Sequence, residues 1–366
     1  MMDHAATNAR PADILVRLAA SVPGMQARAV ALDRDESFPA VDVPLLHGLG
    51  LLTAPLPRAM GGQGAGTEPE GADLLLALLR TIGRGNLPVG RLFEAHVNAV
   101  KLIHDYGTPE QAGAAAADAQ AGRMFGVWVT DAPGRELTWA DGTLRGSKGP
   151  CSGAGYLSRA LVTVATPAGT RLAVLHLDRG EVVRPLRGLL HGMRASMNGW
   201  IDFDGVPLAG DAVIGQAGDY LREPQLSTGA WRTMAVTLGG LEALVGMVGR
   251  QLRRKGHHGD ALQQSRFGEM LIAEQTALLW TQAAAQCSEA GTAPVADRVA
   301  YVNLARIALE GACLDAMRLA QRSIGFGTYL TTNPMERVLR DLSVYLRQPA
   351  PDAVLTEAAQ HRLQQL

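Results

Sequence analysis

The run Phe125-Gly126-Val127-Trp128-Val129-Thr130-Asp131, followed by Gly146-Ser147-Lys148-Gly149-Pro150-Cys151-Ser152, decides the fold. From Arg123 the apolar period becomes two: Phe125, Val127 and Val129 alternate with Trp128 and Thr130, as in a strand with one covered face. Arg159–Thr166, Arg171–Asp178 and Gly199–Asp204 read the same way, punctuated by Gly and Pro. This β module ends near Val213, and on both sides of it the apolar period is helical.

Working outward, Ile14, Leu15, Leu18 and Val22 predict a first helix over 12–22, which Pro23-Gly24 is expected to break or kink. The segment Pro55–Gly71 carries Pro57, Gly61, Gly62, Gly64 and Gly66 and reads as loop. Helical spacing resumes over 72–82 and 92–104. Thr108, with Gln111 three residues on, then has the signature of an N-cap. On the other side, Met234, Leu238, Leu241, Val245, Val248 and Leu252 step by fours and threes. Phe267, Leu271 and Leu278 mark a second helix, Val302 to Leu319 a third, and Val338, Leu342 and Tyr345 a fourth. The expected architecture is α+β and mostly α: an N-terminal helical domain (1–122), a middle β-barrel or sandwich module (123–215), and a C-terminal four-helix bundle (216–366).

Composition narrows the function classes. The 366 residues exceed one small core, and 47% hydrophobic with 19% charged residues suits a globular chain. Lys and Arg number 34 against 35 Asp and Glu, so no strong field favours nucleic acid. Arg253-Arg254-Lys255 reads as the basic end of a helix. The longest apolar run, near Leu74–Leu79, is too short for a membrane span, and no secretory leader is seen. Three cysteines (Cys151, Cys287, Cys313) without CxxC spacing fit a reduced, cytoplasmic setting.

Local motifs then accumulate in order. Pro57-Arg58-Ala59-Met60-Gly61-Gly62 and Gly107-Thr108-Pro109-Glu110-Gln111 stand in the first domain. Val129-Thr130-Asp131-Ala132-Pro133-Gly134, Gly146-Ser147-Lys148 with Cys151-Ser152-Gly153, Arg194-x-Ser196 and Phe203-Asp204-Gly205-Val206-Pro207 stand in the second. Phe267-Gly268, Leu271 and Gln275, then Gly325-Phe326-Gly327, Pro334 and Arg340-Asp341, stand in the third. Together these resemble the acyl-CoA dehydrogenase family of flavoproteins over nearly the whole chain.

The resemblance implies FAD clamped between β module and bundle. Its ring would lie against Trp128, Val129 and Thr130 on one strand and Pro150, Cys151 and Ser152 on another. It also implies that a neighbouring subunit contributes residues matching Phe267, Gln275, Gln321, Arg322 and Gly325, in a homodimer or homotetramer. The family's arginine before the Phe becomes Gln264 here, and Arg266 is close enough to serve as pyrophosphate partner. A small-molecule substrate, an acyl-CoA thioester in the family, and an electron-transfer or reductase partner are implied as well.

Two departures bear on the reaction. Dehydrogenation of a thioester needs a base for the α proton. Counting on from Arg340-Asp341, the family's glutamate falls on Pro349, and the alternative position on the first bundle helix falls near Ala230 or Trp231. Asp352 and Glu357 lie further on and could be re-aimed. The stretch after Pro133-Gly134 is also shortened, which remodels the cleft for the CoA arm. The expected function is an FAD-dependent oxidoreductase of this family with Pro349 in place of its base. The alternatives are a flavin-dependent monooxygenase on the same fold, or a non-catalytic paralogue serving as a structural or binding subunit.

Plainer readings account for the remaining features. Cys151 reads as a small apolar strand residue, because no His/Asn partner is evident. Adjacent His257-His258 do not complete a metal site. Gly61–Gly66 lacks the Gly-Lys-Ser/Thr of a phosphate loop. Arg340-Asp341 is either a bundle salt bridge or a shaper of the cofactor site.

Overall fold

The computed structural model describes residues 10–366; the expected lack of a leader falls largely on residues 1–9, outside them. Helix α1 runs Pro11–Arg34. Pro23 lies inside it, where a break or kink was expected, and the helix does not break. An internal proline costs a helix about 3 kcal/mol. Here Met25 and Ala29 continue the buried stripe of Ile14, Leu18 and Val22 past it, so tertiary burial overrides the local signal.

Helix α2 (Asp42–Gly48) leads to the glycine-rich loop, then α3 (Ala72–Gly85), α4 (Leu87–Tyr106) and α5 (Pro109–Gln120). The cap at Thr108 forms as read: its hydroxyl accepts from the Gln111 N–H, and Thr108 N–H donates to the Gln111 side chain.

The β module holds two sheets. The larger joins β1 (Phe125–Trp128), β2 (Thr138–Ala140), β3 (Thr143–Arg145), β5 (Arg159–Thr166), β6 (Gly169–His176) and β9 (Val213–Ile214). Strand β5 pairs parallel to β1 and antiparallel to β6. The smaller has order β4-β8-β7, from β4 (Ser147–Cys151), β7 (Val182–Pro185) and β8 (Gly199–Asp202). Trp128, Leu144, Cys151, Val162, Val164 and Phe203 fill the core between them.

After a one-turn helix α6 (Gln225–Thr228), the bundle comprises α7 (Ala230–Arg254), α8 (Ala261–Ala290), α9 (Val295–Ile324) and α10 (Pro334–Tyr345). A fifth helix, α11 (Pro351–Leu363), packs on α9; its weak apolar stripe buries only Ala358 and gave no periodic signal. Helix α7 is the hub, packing against α3, α4, α8, α9 and α10. Its crossing with α3 is set by glycine. A Cβ on Gly239 would stand 2.0 Å from the Arg80 carbonyl oxygen, and one on Gly83 2.2 Å from that of Val236.

Arg340-Asp341 proves to be a structural staple. Asp341, 1% exposed, accepts from the Met193 N–H at 2.6 Å and from Arg337 at 2.7 Å. Arg340 bonds Asp33 of α1, Glu336 of its own helix and the His191 carbonyl. This pair therefore ties the loop between β7 and β8 to α1 and α10, which fixes how the β module sits on the helices.

Candidate flavin and substrate site

The edge of the β module is built by strand β1 and the residues that follow it. Gly149 N–H donates to the Thr130 carbonyl at 3.0 Å, and Ala132 N–H to that of Ser147 at 2.9 Å, so the β1 extension runs beside β4. Thr130 and Pro150 are both exposed, and the pairing sets Thr130 across from Gly149, the residue before Pro150. The layer beneath is fixed by Lys148, whose ammonium, 1% exposed, reaches Asp131 at 2.6 Å, Thr163 at 2.8 Å and the Val129 carbonyl at 3.3 Å. Burial pushes this lysine down from its ordinary value, and Asp131 opposes that shift.

The sequence-predicted residues divide into three groups. Val129, Thr130 and Pro150 lie on or beside the accessible edge. Trp128 and Cys151 turn into the β core. The Trp128 indole donates to the Ser152 carbonyl at 3.0 Å, clamping the two strands. Burial drives the Cys151 thiol well above its usual range, the chemistry of a small core residue rather than a nucleophile. Ser152 is nearly buried, and its hydroxyl donates to Asn198 at 3.0 Å.

The third group sits at one end of the bundle. Arg266 and Phe267 begin α8, Gln321 and Arg322 end α9, and Gly325 follows; Gln275 is exposed two turns along α8. A bond from Gln263 to the Ser323 carbonyl joins the two helix ends. Here Gln263 Oε1 and Ser323 Oγ are buried without a partner, beside the guanidinium-bearing Arg266 and Arg322. Where the start of α8 meets the end of α9, the cations Arg266 and Arg322 and the Ser323 hydroxyl suit an anionic group, while Gln263 Oε1 can only accept from a donor. No hydrogen bond or ion pair joins this group to the β edge among the described residues.

At position 349 the structure places no acid. The Pro349 carbonyl accepts from Arg306 at 2.8 Å. Asp352 and Glu357 are exposed on α11. Ala230 lines a small cavity between α7, α9 and the end of α10, and Trp231 is fully buried. Glu310 also lines that cavity, but is held by Arg347 at 2.6 Å.

The sequence reading missed a set of charged residues under this site. Glu94 and His96 lie inside the apolar run Leu92–Val97 of α4, and both are buried. Polar residues inside an apolar helical run were the available signal. Glu94 pairs with Arg91 and accepts from Asn98. Asn98 in turn accepts from Arg232 of α7 at 3.2 Å, and Arg232 and the Trp231 indole converge on Glu289 at 3.1 and 3.0 Å. His96 is structural: its Nδ1 accepts from the Phe125 N–H, and its Nε2 lies 2.8 Å from the Leu52 carbonyl. That fixes the proton on Nε2, and burial lowers its pKa to about 4.

Known proteins agree with this architecture. Residues 23–122 match the family model of the acyl-CoA dehydrogenase N-terminal domain. The butyryl-CoA dehydrogenase of Megasphaera elsdenii superposes with TM-score 0.84 at 16% identity, over 99% of this chain and 100% of that one. KijD3 in complex with FMN and dTDP-3-amino-2,3,6-trideoxy-4-keto-3-methyl-D-glucose gives 0.81 at 19% identity, over 96% and 94%. A nitrososynthase from Micromonospora carbonacea var. africana gives 0.79 at 18%, over 99% and 98%. No curated protein matches by sequence. Residues 23–122 thus match the acyl-CoA dehydrogenase N-terminal domain, and the whole chain shares the fold of these structures.

Proposed function

We propose that the protein is a flavin-dependent oxidoreductase that oxygenates a small polar substrate, rather than one that dehydrogenates an acyl thioester. The observation that carries this reading is Pro349. A thioester α proton needs a positioned base, and here the equivalent segment offers only a carbonyl already engaged by Arg306. An oxygenating flavin enzyme has no such requirement, because the reduced flavin itself supplies the electrons that activate dioxygen. Support also comes from the fold neighbours, which include an FMN complex with an amino sugar nucleotide and a nitrososynthase.

The residues present fit a flavin. Thr130 and Pro150 offer a hydroxyl and an apolar face on a rigid edge, while Lys148 holds the strand beneath them. Arg266 and Arg322 would hold a phosphate-bearing arm, with Gln263 and Ser323 supplying further contacts, and Phe267, Gln275, Gln321 and Gly325 completing that surface. FAD, with its pyrophosphate, uses both cations, and is preferred over FMN on that ground.

Because the cationic end is not bonded to the β edge of its own chain, a second copy would bring the two together. Leu271, Ile272 and Leu279 on α8 and Phe326, Tyr329 and Leu330 after α9 are exposed, Phe326 by 77%, and form the apolar surface such a pairing would bury. Among the described residues no helix is long and apolar enough to cross a membrane.

The test is spectroscopic. The purified chain is titrated with FAD and with FMN, and oxygen uptake is followed with externally reduced flavin. Flavin uptake with oxygen consumption, and no anaerobic bleaching by butyryl-CoA, is expected. Bleaching by butyryl-CoA would overturn the oxygenase reading and restore dehydrogenation. Absence of any flavin uptake would leave the structural-subunit alternative.

A further inference from the structure

The loop between β7 and β8, which carries the Arg194-x-Ser196 motif, is constrained from both ends. Met193 and Met197 on either side of the motif hold φ of 56° and 48°, the left-handed region that residues other than glycine occupy only where their surroundings impose it. On one side, a Cβ on Gly192 would stand 2.3 Å from the Arg340 carbonyl oxygen, and Met193 N–H donates to Asp341 at 2.6 Å. On the other, Gly153 N–H donates to the Ser196 carbonyl at 2.8 Å, and Ala154 N–H to that of Met197 at 3.1 Å. The loop thus joins α10 to the turn that follows β4.

Three side chains run through it, and the order of their protons follows from the acceptor at one end. Ser196, 1% exposed, has its Oγ 2.7 Å from the Met193 carbonyl oxygen, which carries no proton, so Ser196 donates its only one there. The Asn198 side chain, 2.7 Å from the same Oγ, must then present its NH2 group to it. That leaves the Asn198 amide oxygen facing Ser152 at 3.0 Å, where it can only accept, so the Ser152 proton is spent on Asn198. Ser152 keeps its lone pairs, and no donor among the described residues reaches its Oγ. Thr130, by contrast, is bonded through its carbonyl, and its hydroxyl can turn either way.

We propose that Asn198 and Ser196 are positioning residues that lock Ser152 as a hydrogen-bond acceptor at the flavin edge, so that this chain holds reduced flavin in preference to oxidised flavin. The assignment rests on the flavin reading above, and names the redox state for which that site is built. Two-electron reduction puts a proton on a ring nitrogen that is a bare acceptor in the oxidised ring. Against an acceptor-only hydroxyl the oxidised ring sets lone pair against lone pair, while the reduced ring gains a hydrogen bond. A serine free to rotate would serve both forms and discriminate little. The discrimination therefore resides in the two residues behind Ser152, which fix the direction of its proton.

The purified chain is titrated anaerobically with FAD, once oxidised and once reduced by dithionite, and the potential of the bound flavin is read against a reference dye. Reduced FAD is expected to bind about tenfold more tightly, which for a two-electron couple places the bound potential about 30 mV above that of free FAD. Asn198→Leu frees the Ser152 proton and should lower the bound potential by about that amount. Ser196→Ala, which lets the Asn198 amide turn over, should lower it by part of that amount. Ser152→Ala deletes the acceptor without touching the loop, so it must lose the preference even where the loop variants fail to fold. General damage to the loop weakens both redox forms alike and leaves the potential where it was. Equal or tighter binding of oxidised FAD by the unmodified chain, or an unchanged potential in Asn198→Leu or Ser152→Ala, overturns the assignment and leaves the flavin reading standing. Failure of both redox forms to bind overturns the two together.

Discussion

Helix α7 meets α3 on one side and α4 on the other, and the two seams differ in material. Against α3 the contact is mostly dry and backbone-close, with Gly83 and Gly239 allowing approach, Leu78, Leu79, Ile82, Val236 and Leu238 fully buried around them, and an Arg80–Glu242 ion pair crossing it. Against α4 the contact runs through Asn98 and Arg232, continues to the Arg91–Glu94 pair, and ends at an unsatisfied phenol. The first seam gains from dispersion and the hydrophobic effect, and any added atom collides. The second gives up part of that gain for a chain of hydrogen bonds and ion pairs among Arg91, Glu94, Asn98, Arg232 and Glu289. Each seam can be attacked without the other.

The largest effect is expected on the dry seam. Gly239→Val places side-chain atoms within the radius of the Arg80 carbonyl, which belongs to a backbone that cannot rotate away. A loss of about 3–5 kcal/mol follows from forced separation of two packed helices. Urea unfolding followed by circular dichroism should show the midpoint collapse or no soluble protein. A shift below about 1 kcal/mol would mean that α3 and α7 are not in backbone contact.

On the polar seam, Glu94→Leu should cost about 3 kcal/mol, because Arg91 and Asn98 both lose their partner in a closed environment. Adding Arg91→Met to that variant should recover most of the loss, since a buried pair replaced whole by apolar residues is often neutral. The same urea assay decides this. Failure of the second substitution to rescue would show the pair to be a structural requirement, and would merge the two seams in kind.

How much of this was legible in the sequence follows the same division. Periods of two and 3.6 report apolar faces, so the β module, the cap at Thr108 and helices α7 to α10 could be read from Phe125–Thr130 and from the steps of Met234 to Leu252. Pro23, read as a break or kink, does not end α1: a breaker is a local signal, and the buried Met25 and Ala29 beyond it are a tertiary fact. Helix α11 was missed because a helix burying one alanine leaves no stripe. The motifs located the edge at Thr130 and Pro150, but strand residues alternate, so Trp128 and Cys151 from the same runs point into the core. The polar seam was invisible for another reason. Glu94, Asn98, Arg232 and Glu289 lie on three helices, and nothing in one dimension says that they converge.

His96 lies on the α4 face toward β1 and offers a pH-based test of how α4 is joined to that strand and to the segment at Leu52. Its pKa is about 4 in the folded protein against 6.5 when unfolded, with burial as the main cause. Below pH 6.5 the unfolded chain therefore binds a proton that the folded chain refuses. The stability held by neutral His96 is complete above pH 6.5 and declines as the pH falls toward 4, by about 3 kcal/mol at most. His96→Gln, which can still bond Leu52, should lose this component, so its stability difference from the unmodified chain should shrink between pH 6.5 and 4. A difference that stays constant over that window would mean that His96 titrates in the fold as it does in the unfolded chain.

The smallest effect is expected where the polar seam touches neither fold nor charge. Tyr345→Phe removes an oxygen that makes no hydrogen bond of good geometry, Thr233 being its neighbour, so unfolding free energy should change by no more than about 0.5 kcal/mol. The aromatic ring, which packs in the same core as Leu342 and Leu346, is kept. Denaturation midpoints of the two proteins compared side by side would give this directly. A loss above about 1 kcal/mol would show that the hydroxyl bonds Thr233, which lines the same small cavity, and so belongs to the fold. Either outcome sets this oxygen apart from Glu94, whose removal from the same seam is expected to cost several times more.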